Sequence, residues 1–284
     1  MPSVYAHIYF GQKCLNRIPN EYKKIILNNK TFFEYGLQGP DIFNNDSLTK
    51  NDNYQSFSLH NRSIINTLIN SKKEMSNIKN RDKTLAYMFG YISHFLLDSY
   101  CFEYLEKASK EFNKSRSYLE SNFERYLLIK NFKNLKDIEI NKRYKKSREI
   151  KRIIYEQIIH DSKVINNCID NFINFNTLIY TDNKYLNKGF KKYLHLSKKE
   201  QYEDRIIPYQ LDKNVLASCV RCDKYLEIAT FHYSELVINY MDFLVNDKEL
   251  NSYYKNKIWY ISDNEIPVLN INDELKYTLS SLKH

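Results

Sequence analysis

Apolar residues recur at helical spacing along most of the chain, and polar stretches separate them into segments. This pattern predicts helices near 5–16, 20–29, 55–75, 82–108, 115–130, 148–160, 163–178, 214–246 and 273–282. Between them we expect a turn over 36–40, a polar loop over 44–53 and an irregular, aromatic-rich segment over 248–267. The chain has only five glycines and five prolines, which are too few for the many turns of a many-stranded sheet. The sequence therefore predicts an all-α protein.

The organisation along the chain predicts one helical domain over residues 1–284. Within it, residues 1–130 carry most of the polar residues in apolar surroundings, and we expect this half to hold the functional site. Residues 131–150 are rich in lysine and arginine and are interpreted as a basic linker, and residues 151–284 as a helical C-terminal half. No internal repeat is evident.

The helix predicted over 82–108 contains the most informative stretch, residues 90–99, with the sequence Gly-Tyr-Ile-Ser-His-Phe-Leu-Leu-Asp-Ser. His94 and Asp98 are four residues apart, so both side chains project from one helix face. That face is otherwise apolar, and burying polar groups there is costly unless they are paired or bind a metal. Imidazole and carboxylate groups are both zinc ligands. Such a pair also occurs by chance, so it leaves a metal site and an ordinary buried pair open.

Three further polar residues stand in apolar or turn-forming surroundings. His7 lies at the start of the first predicted helix, and His60 lies in the helix predicted over 55–75, at the start of its apolar pattern. Asp41 directly follows the segment 36–40, Gly-Leu-Gln-Gly-Pro, which is the stretch densest in glycine and proline. Taken singly, each histidine also fits a hydrogen-bonded core position, and Asp41 also fits a helix cap after the proline.

Taken together, these motifs resemble the zinc-dependent phospholipase C family, whose helical fold is shared with P1-type nucleases. The likeness rests on their order: Ala-His at 6–7, Gly-x-x-Gly-Pro-Asp at 36–41, Leu-His at 59–60 and Gly-x-x-x-His-Phe-x-x-Asp-Ser at 90–99. An acidic helix around 120–127 continues it. The resemblance covers about residues 1–130 and implies a multi-helical phospholipase C or P1 nuclease-like domain.

The resemblance also implies a set of metal ligands, because the fold of that family holds a cluster of up to three zinc ions. By position, four residues are similar to the ligands of the first ion: Asp41, His60, His94 and Asp98. His7 is similar to a ligand of another ion, to which Asp98 would bridge.

The remaining ion of that family has two histidines and a glutamate, and here the chain departs from the pattern. The two histidine positions correspond to Phe102 and Arg116, and the glutamate position to Glu120. Neither phenylalanine nor arginine offers a lone pair to zinc at physiological pH. The resemblance therefore implies one or two zinc ions rather than three, and Glu120 is the weakest member of the ligand set.

Arg116 and Glu120 are four residues apart on a predicted helix, so the guanidinium can pair with the carboxylate. Three interpretations of the arginine follow. It could bind a substrate phosphate, it could neutralise a carboxylate left without metal, or the two residues could form an ordinary ion pair on the helix surface.

Composition also indicates the cellular compartment. At 284 residues with 43% hydrophobic residues, the chain can bury a sizeable core. The first thirty residues contain no continuous apolar segment, and no stretch approaches the length of a membrane span. Five cysteines, an odd number, fit a reducing compartment. Cys219 and Cys222 form a Cys-x-x-Cys inside a predicted helix without a second pair, which argues against zinc or redox use. We therefore expect a cytoplasmic protein.

The net charge of +9 raises the question of anionic partners. Its densest patch runs over 142–148 and is extended by Lys151 and Arg152. Such a patch can attract phosphates or anionic lipid, so peripheral contact with an anionic membrane is one interpretation. Because lysine and asparagine are abundant along the whole chain, a solvated basic linker is favoured over a binding surface.

Two functions remain. The first is a zinc-dependent phosphodiester hydrolase, with Asp41 as ligand and candidate base and a phospholipid favoured over a nucleic acid as substrate. The alternative is a non-catalytic or weakened family member that keeps the fold and a partial metal site as a binding or regulatory module. Buried carboxylates and histidines are costly to retain without a cation, which favours the hydrolase, whereas Phe102 and Arg116 favour the alternative.

Overall fold

The fold is described by a computed structural model for residues 4–44, 59–60, 62–75 and 81–255. In this part of the chain the α-helices are α1 Val4–Cys14, α2 Asn20–Asn28, α3 Lys30–Gln38, α4 Ile65–Met75, α5 Arg81–Glu111, α6 Arg116–Lys130, α7 Ile140–Arg143, α8 Arg148–Gln157, α9 Ser162–Ile179, α10 Lys184–Leu196 and α11 Leu216–Asn246. Short 3₁₀ helices span Gly39–Phe43, Leu135–Ile138, Glu200–Arg205, Lys213–Val215 and Ser252–Lys255. No β-strand occurs among these residues. The all-α prediction is confirmed.

Most of the predicted helices are present, with ends that differ by three residues or fewer: α1, α2, α5, α6, α8, α9 and α11. The caps explain several of these ends. The side chain of Ser115 accepts a hydrogen bond from the backbone N–H of Tyr118 and starts α6. In the same way, Ser147 starts α8 and Asp161 starts α9.

The helix predictions were wrong in four places, one of which is the short helix α7 inside the predicted linker. The turn predicted over 36–40 begins only at Gly39, because residues up to Gln38 belong to α3, a helix that the pattern did not reveal. The helix predicted over 55–75 is interrupted at 62–64 and resumes as α4. Helix α10 was not predicted. The loop over 45–53, the segment 256–267 and the helix over 273–282 lie outside the described residues.

Helix α5 lies at the centre of the fold. It is 31 residues long, and α1, α2, α3 and α11 all pack against it. The closest of these contacts is with α3, where Gly36 and Gly90 face each other. A Cβ atom built on Gly36 would lie 2.0 Å from the backbone oxygen of Tyr87, and one on Gly90 would lie 2.3 Å from the oxygen of Phe33. Only glycine allows the two backbones to approach this closely.

The segment 131–150 is packed against the rest of the fold. Its residues Leu135, Ile138, Ile140 and Tyr144 are buried, and the Nε2 of Gln38 donates a hydrogen bond of 2.7 Å to the hydroxyl of Tyr144. These four side chains are part of the core, and the interpretation of 131–150 as a basic linker stays a prediction. The division of the chain into two halves stays a prediction.

None of the described helices combines the length and the apolar character that crossing a membrane requires.

Candidate metal centre

Four separate parts of the chain bring five polar side chains to one buried place. His7 comes from α1, and Asp41 from the 3₁₀ helix Gly39–Phe43. His60 comes from the short helical stretch 59–60, and His94 and Asp98 come from α5. All three histidines and Asp98 are at most 1% exposed, and the side chain of Asp41 is 13% exposed. Asp41 therefore marks the side on which the cluster is open to solvent.

The donor atoms of these side chains are spaced as ligands of a shared ion would be. The Nε2 atom of His94 lies 3.2 Å from Oδ2 of Asp98 and 3.5 Å from Nε2 of His60. Nε2 of His60 lies 3.4 Å from Oδ1 of Asp41 and 3.6 Å from Oδ2 of Asp98. With zinc–ligand bonds of about 2.0–2.1 Å, two ligands of one tetrahedral ion lie about 3.3 Å apart. The spacing fits zinc.

The two oxygens of each carboxylate face different histidines. Oδ1 of Asp98 lies 3.4 Å from Nε2 of His7, while Oδ2 faces His94 and His60. Asp41 behaves likewise, with Oδ2 at 3.9 Å from Nε2 of His7 and Oδ1 towards His60. Carboxylates placed in this way can bridge two ions, which is the role that the resemblance implied for Asp98.

Several buried atoms of the cluster have no hydrogen-bond partner among the described residues. They are both ring nitrogens of His7 and both carboxylate oxygens of Asp98. Buried polar atoms are normally satisfied, and ones that are not call for a water or an ion. A cation would satisfy these atoms, and nitrogen and oxygen ligands are those that zinc accepts in proteins.

Packing fixes the ring of His94. Its Nδ1 lies 3.1 Å from the backbone oxygen of Leu37, which leaves Nε2 directed at the cluster. Gly39 closes the other side, with φ of +45°, and a Cβ atom there would lie 2.7 Å from the His94 ring. Any other residue at this position would displace the ring as well as strain the backbone.

The pKa shifts of His7, Asp98 and Asp41 suit a metal centre, whereas the raised pKa of His94 lets a proton compete with a cation there. Burial lowers the pKa of His7, and the neighbouring His94 lowers it further. Burial alone would lower the pKa of His94 too, but Asp98 and Asp41 raise it. Burial opposes ionisation of both carboxyl groups, yet the surrounding histidines hold the pKa of Asp98 well below its usual range and that of Asp41 below it. Both carboxylates are thus ionised at neutral pH, as metal ligands must be.

By proximity of donor atoms, the residues form two groups, His7 with Asp41 and His94, and His60 with His94 and Asp98. His94 belongs to both, whereas the resemblance gave the bridging role to Asp98. Since Nδ1 of His94 faces the Leu37 oxygen, only Nε2 is directed at the cluster, and one nitrogen serves one ion. The two oxygens of Asp98 are therefore better suited to bridging.

The two residues that depart from the family pattern lie next to each other. Phe102 stands one helical turn beyond Asp98 on α5, and the guanidinium carbon of Arg116 lies 4.7 Å from the centroid of its ring. The expected ion pair of Arg116 with Glu120 is present at 3.2 Å. Arg116 also binds Glu106 at 2.5 Å, a partner that the sequence did not indicate. A cation and an aromatic ring thus occupy the two positions that the resemblance assigns to histidine ligands.

Glu124 is a buried residue of α6 whose role the sequence did not reveal. Its carboxylate accepts hydrogen bonds from the backbone N–H of Tyr5, from that of Ala6 at 3.1 Å and from the hydroxyl of Tyr180. Burial raises its pKa to about 7. Because Ala6 directly precedes His7, these bonds anchor the helix that carries the histidine. In the sequence, only its position one turn after Glu120 pointed to a role for Glu124.

Arg205 is a second residue that sequence reasoning missed. It ends the 3₁₀ helix Glu200–Arg205, and its guanidinium carbon lies 5.0 Å from the ring centroid of Phe175 on α9. Burial lowers its pKa, while the charge of Asp41 raises it and that of Arg116 lowers it again. Arg205 therefore lies close enough to the open side of the cluster to sense Asp41. Nothing in the local sequence connects it with the motifs of the first half.

A family model described as zinc dependent phospholipase C matches residues 6–174, which is more than half of the chain. The matched range includes all five clustered residues and extends past residue 130, where the resemblance in the sequence ended. No curated protein and no solved structure matches the chain.

Proposed function

The chain belongs to the zinc-dependent phospholipase C family, and from this premise we propose that it hydrolyses a phosphodiester bond of a phospholipid with zinc held by His7, Asp41, His60, His94 and Asp98. The observation that carries the proposal is the spacing of the donor atoms. Five potential ligands from four parts of the chain lie with neighbouring donor atoms 3.2–3.9 Å apart, inside a core that could otherwise have held apolar side chains. Two ionised carboxylates are costly there without a cation.

Zinc bound at this place would lower the pKa of a coordinated water and polarise a phosphoryl oxygen. The chain itself supplies a proton acceptor in Asp41, whose carboxylate is ionised and partly exposed at the open side. Asn44 donates a hydrogen bond of 2.5 Å to Oδ1 of Asp41 and holds the carboxylate in position. Asp41 is accordingly the candidate base, and Arg116 the candidate phosphate ligand. We propose one or two ions, because Phe102 and Arg116 replace two ligands of a third.

The surroundings of the substrate are also part of the proposal. Lys142, Lys145, Lys146 and Arg148 are exposed, which supports peripheral contact with the headgroups of an anionic membrane. Five buried cysteines without disulfides support a reducing, cytoplasmic setting.

The proposal predicts the metal content and substrate preference of the unaltered protein. Protein purified without added metal should contain one or two zinc ions per chain by elemental analysis. Chelation should abolish hydrolysis of a short-chain phosphatidylcholine, and added zinc should restore it. Single-stranded DNA assayed in parallel should be cleaved more slowly than the lipid. Protein that binds no zinc when purified or after zinc is added would refute the proposal.

A weakened family member is the second candidate, and the contact of Arg116 with Phe102 favours it. Replacing both with histidine, Phe102→His with Arg116→His, should add about one zinc ion per chain and raise hydrolysis, since imidazoles beside Glu120 complete a three-ligand site. Elemental analysis and the lipid assay measure both effects. The single variant Arg116→Ala, which removes the cation but adds no ligand, is the control and should gain no zinc. An unchanged zinc content in the double variant would argue against this assignment of the two positions.

A further inference from the structure

Two arginines from distant parts of the sequence are brought together beside the open side of the candidate metal centre. We propose that Arg116 and Arg205 form a pair that binds the phosphate group of a ligand at this opening. The inference rests on the proposed function for the identity of the substrate, but the anion site itself follows from the arrangement of the two guanidinium groups.

The two arginines are held near each other by neighbouring contacts. The hydroxyl of Ser115, directly before Arg116, donates a hydrogen bond of 2.5 Å to Oδ2 of Asp204, directly before Arg205. Helix α6 and the 3₁₀ helix Glu200–Arg205 also pack against each other. Each guanidinium lies near an aromatic ring, Arg116 at 4.7 Å from Phe102 and Arg205 at 5.0 Å from Phe175. Contacts of this kind reduce the freedom of a long side chain, so less entropy is lost when a ligand binds.

Both arginines lie beside the cluster rather than elsewhere on the surface. Phe102 continues the row of His94 and Asp98 along α5, one helical turn or ~5–6 Å beyond Asp98. The guanidinium of Arg116 lies over the ring of this phenylalanine. Phe175, the partner of Arg205, is on α9, which packs against the 3₁₀ helix that carries Asp41. Both arginines therefore contact rings on helices that carry or pack against the segments with Asp98 and Asp41.

The charges and donors suit a phosphate. An anion bound between the two guanidinium groups would be attracted by both positive charges. The ion pairs of Arg116 with Glu120 and Glu106 use Nε and Nη1, and the side chain is 32% exposed, so a ligand can reach the guanidinium from the solvent side. Arginine presents several N–H donors in a fixed plane that matches phosphate oxygens. The pair thus supplies two positive charges and directed hydrogen bonds to the same group.

The test uses the full chain and two probes, inorganic phosphate and dihexanoylphosphatidylcholine. Arg205→Ala should weaken binding of phosphate, measured by calorimetry, by about tenfold or more, because a charge-assisted hydrogen bond is lost. It should raise KM for the lipid by a similar factor with a smaller change in kcat, and Arg205→Lys should restore part of the loss. Arg17→Ala is the matched control, since Arg17 also lies over an aromatic ring, Phe231, at 3.7 Å, but it follows the C-terminal end of α1.

The outcomes separate this proposal from the proposed function. An effect on both probes, or on either alone, supports the pair and identifies the lipid headgroup, free phosphate or both as its ligand. Unchanged affinity and KM in Arg205→Ala would overturn it, and so would a loss of zinc, which would assign Arg205 a structural role. If the unaltered protein binds no zinc and hydrolyses no lipid but needs Arg205 for phosphate, the anion site stands and the hydrolase proposal fails.

Discussion

Replacing His94 with alanine is expected to remove most of the bound zinc and to lower phospholipid hydrolysis by more than about hundredfold. Loss of a group that only orients a ligand costs about 10–100-fold, and loss of a ligand should cost more. His94 has the largest expected effect of the three histidines because its Nε2 lies within 3.5 Å of both Asp98 and His60. Removing it would also leave the carboxylate of Asp98 buried with one fewer partner.

Zinc content after gel filtration and the rate of lipid hydrolysis measure this effect. His160→Ala is the control, because His160 is exposed and lies far along the chain from the cluster. His160→Ala should keep its zinc, and the circular dichroism of both variants should remain helical. Full zinc content in His94→Ala would show that the ligands are elsewhere.

Replacing Gly90 with alanine is expected to destabilise the protein by about 3 kcal/mol or more, although alanine is ordinarily the better helix former. The added Cβ would lie 2.3 Å from the oxygen of Phe33, 2.8 Å from the nitrogen of Leu37 and 2.9 Å from the carbonyl carbon of Gly36. All three are backbone atoms of α3, so no side-chain rotation relieves the contact. The two helices would have to separate.

Gly189→Ala is the matched control for this substitution. Gly189 also lies within a helix, α10, but a Cβ there would meet nothing within 4 Å. The control should gain about 0.5–1 kcal/mol, so the two variants should move in opposite directions in thermal unfolding followed by circular dichroism. Because α3 leads into the segment with Asp41 and α5 carries His94, Gly90→Ala should also lose zinc. An unfolding temperature at or above that of the unaltered protein would contradict the contact.

The sequence predicted the long, strongly periodic elements and the pair on α5. The spacing of His94 and Asp98 was sufficient to place them on one face, because helical geometry is local. It could not bring His7, Asp41 and His60 to that face, since their approach depends on how α1, α3 and α5 pack. That grouping came from the order of the motifs and from their resemblance to a family.

The failures have physical causes that differ from one element to the next. Helix α3 was missed because Gly36 was interpreted as a turn residue, whereas it serves the close approach to α5. Helix α10 buries only Asn187, Phe190 and Leu194, which is a weak apolar signal. Arg205 could not be connected with the site at all, because its contacts lie on elements distant in sequence.

The contact between Gly36 and Gly90 has an evolutionary consequence. Neither glycine supplies a donor atom to the cluster, so a substitution at a ligand position leaves the contact between α3 and α5 in place. We expect a scaffold of this kind to remain folded when a residue at a ligand position is replaced by another. Variants with altered ligands would then stay stable enough to be selected. New activities could arise on the same fold without a loss of folding.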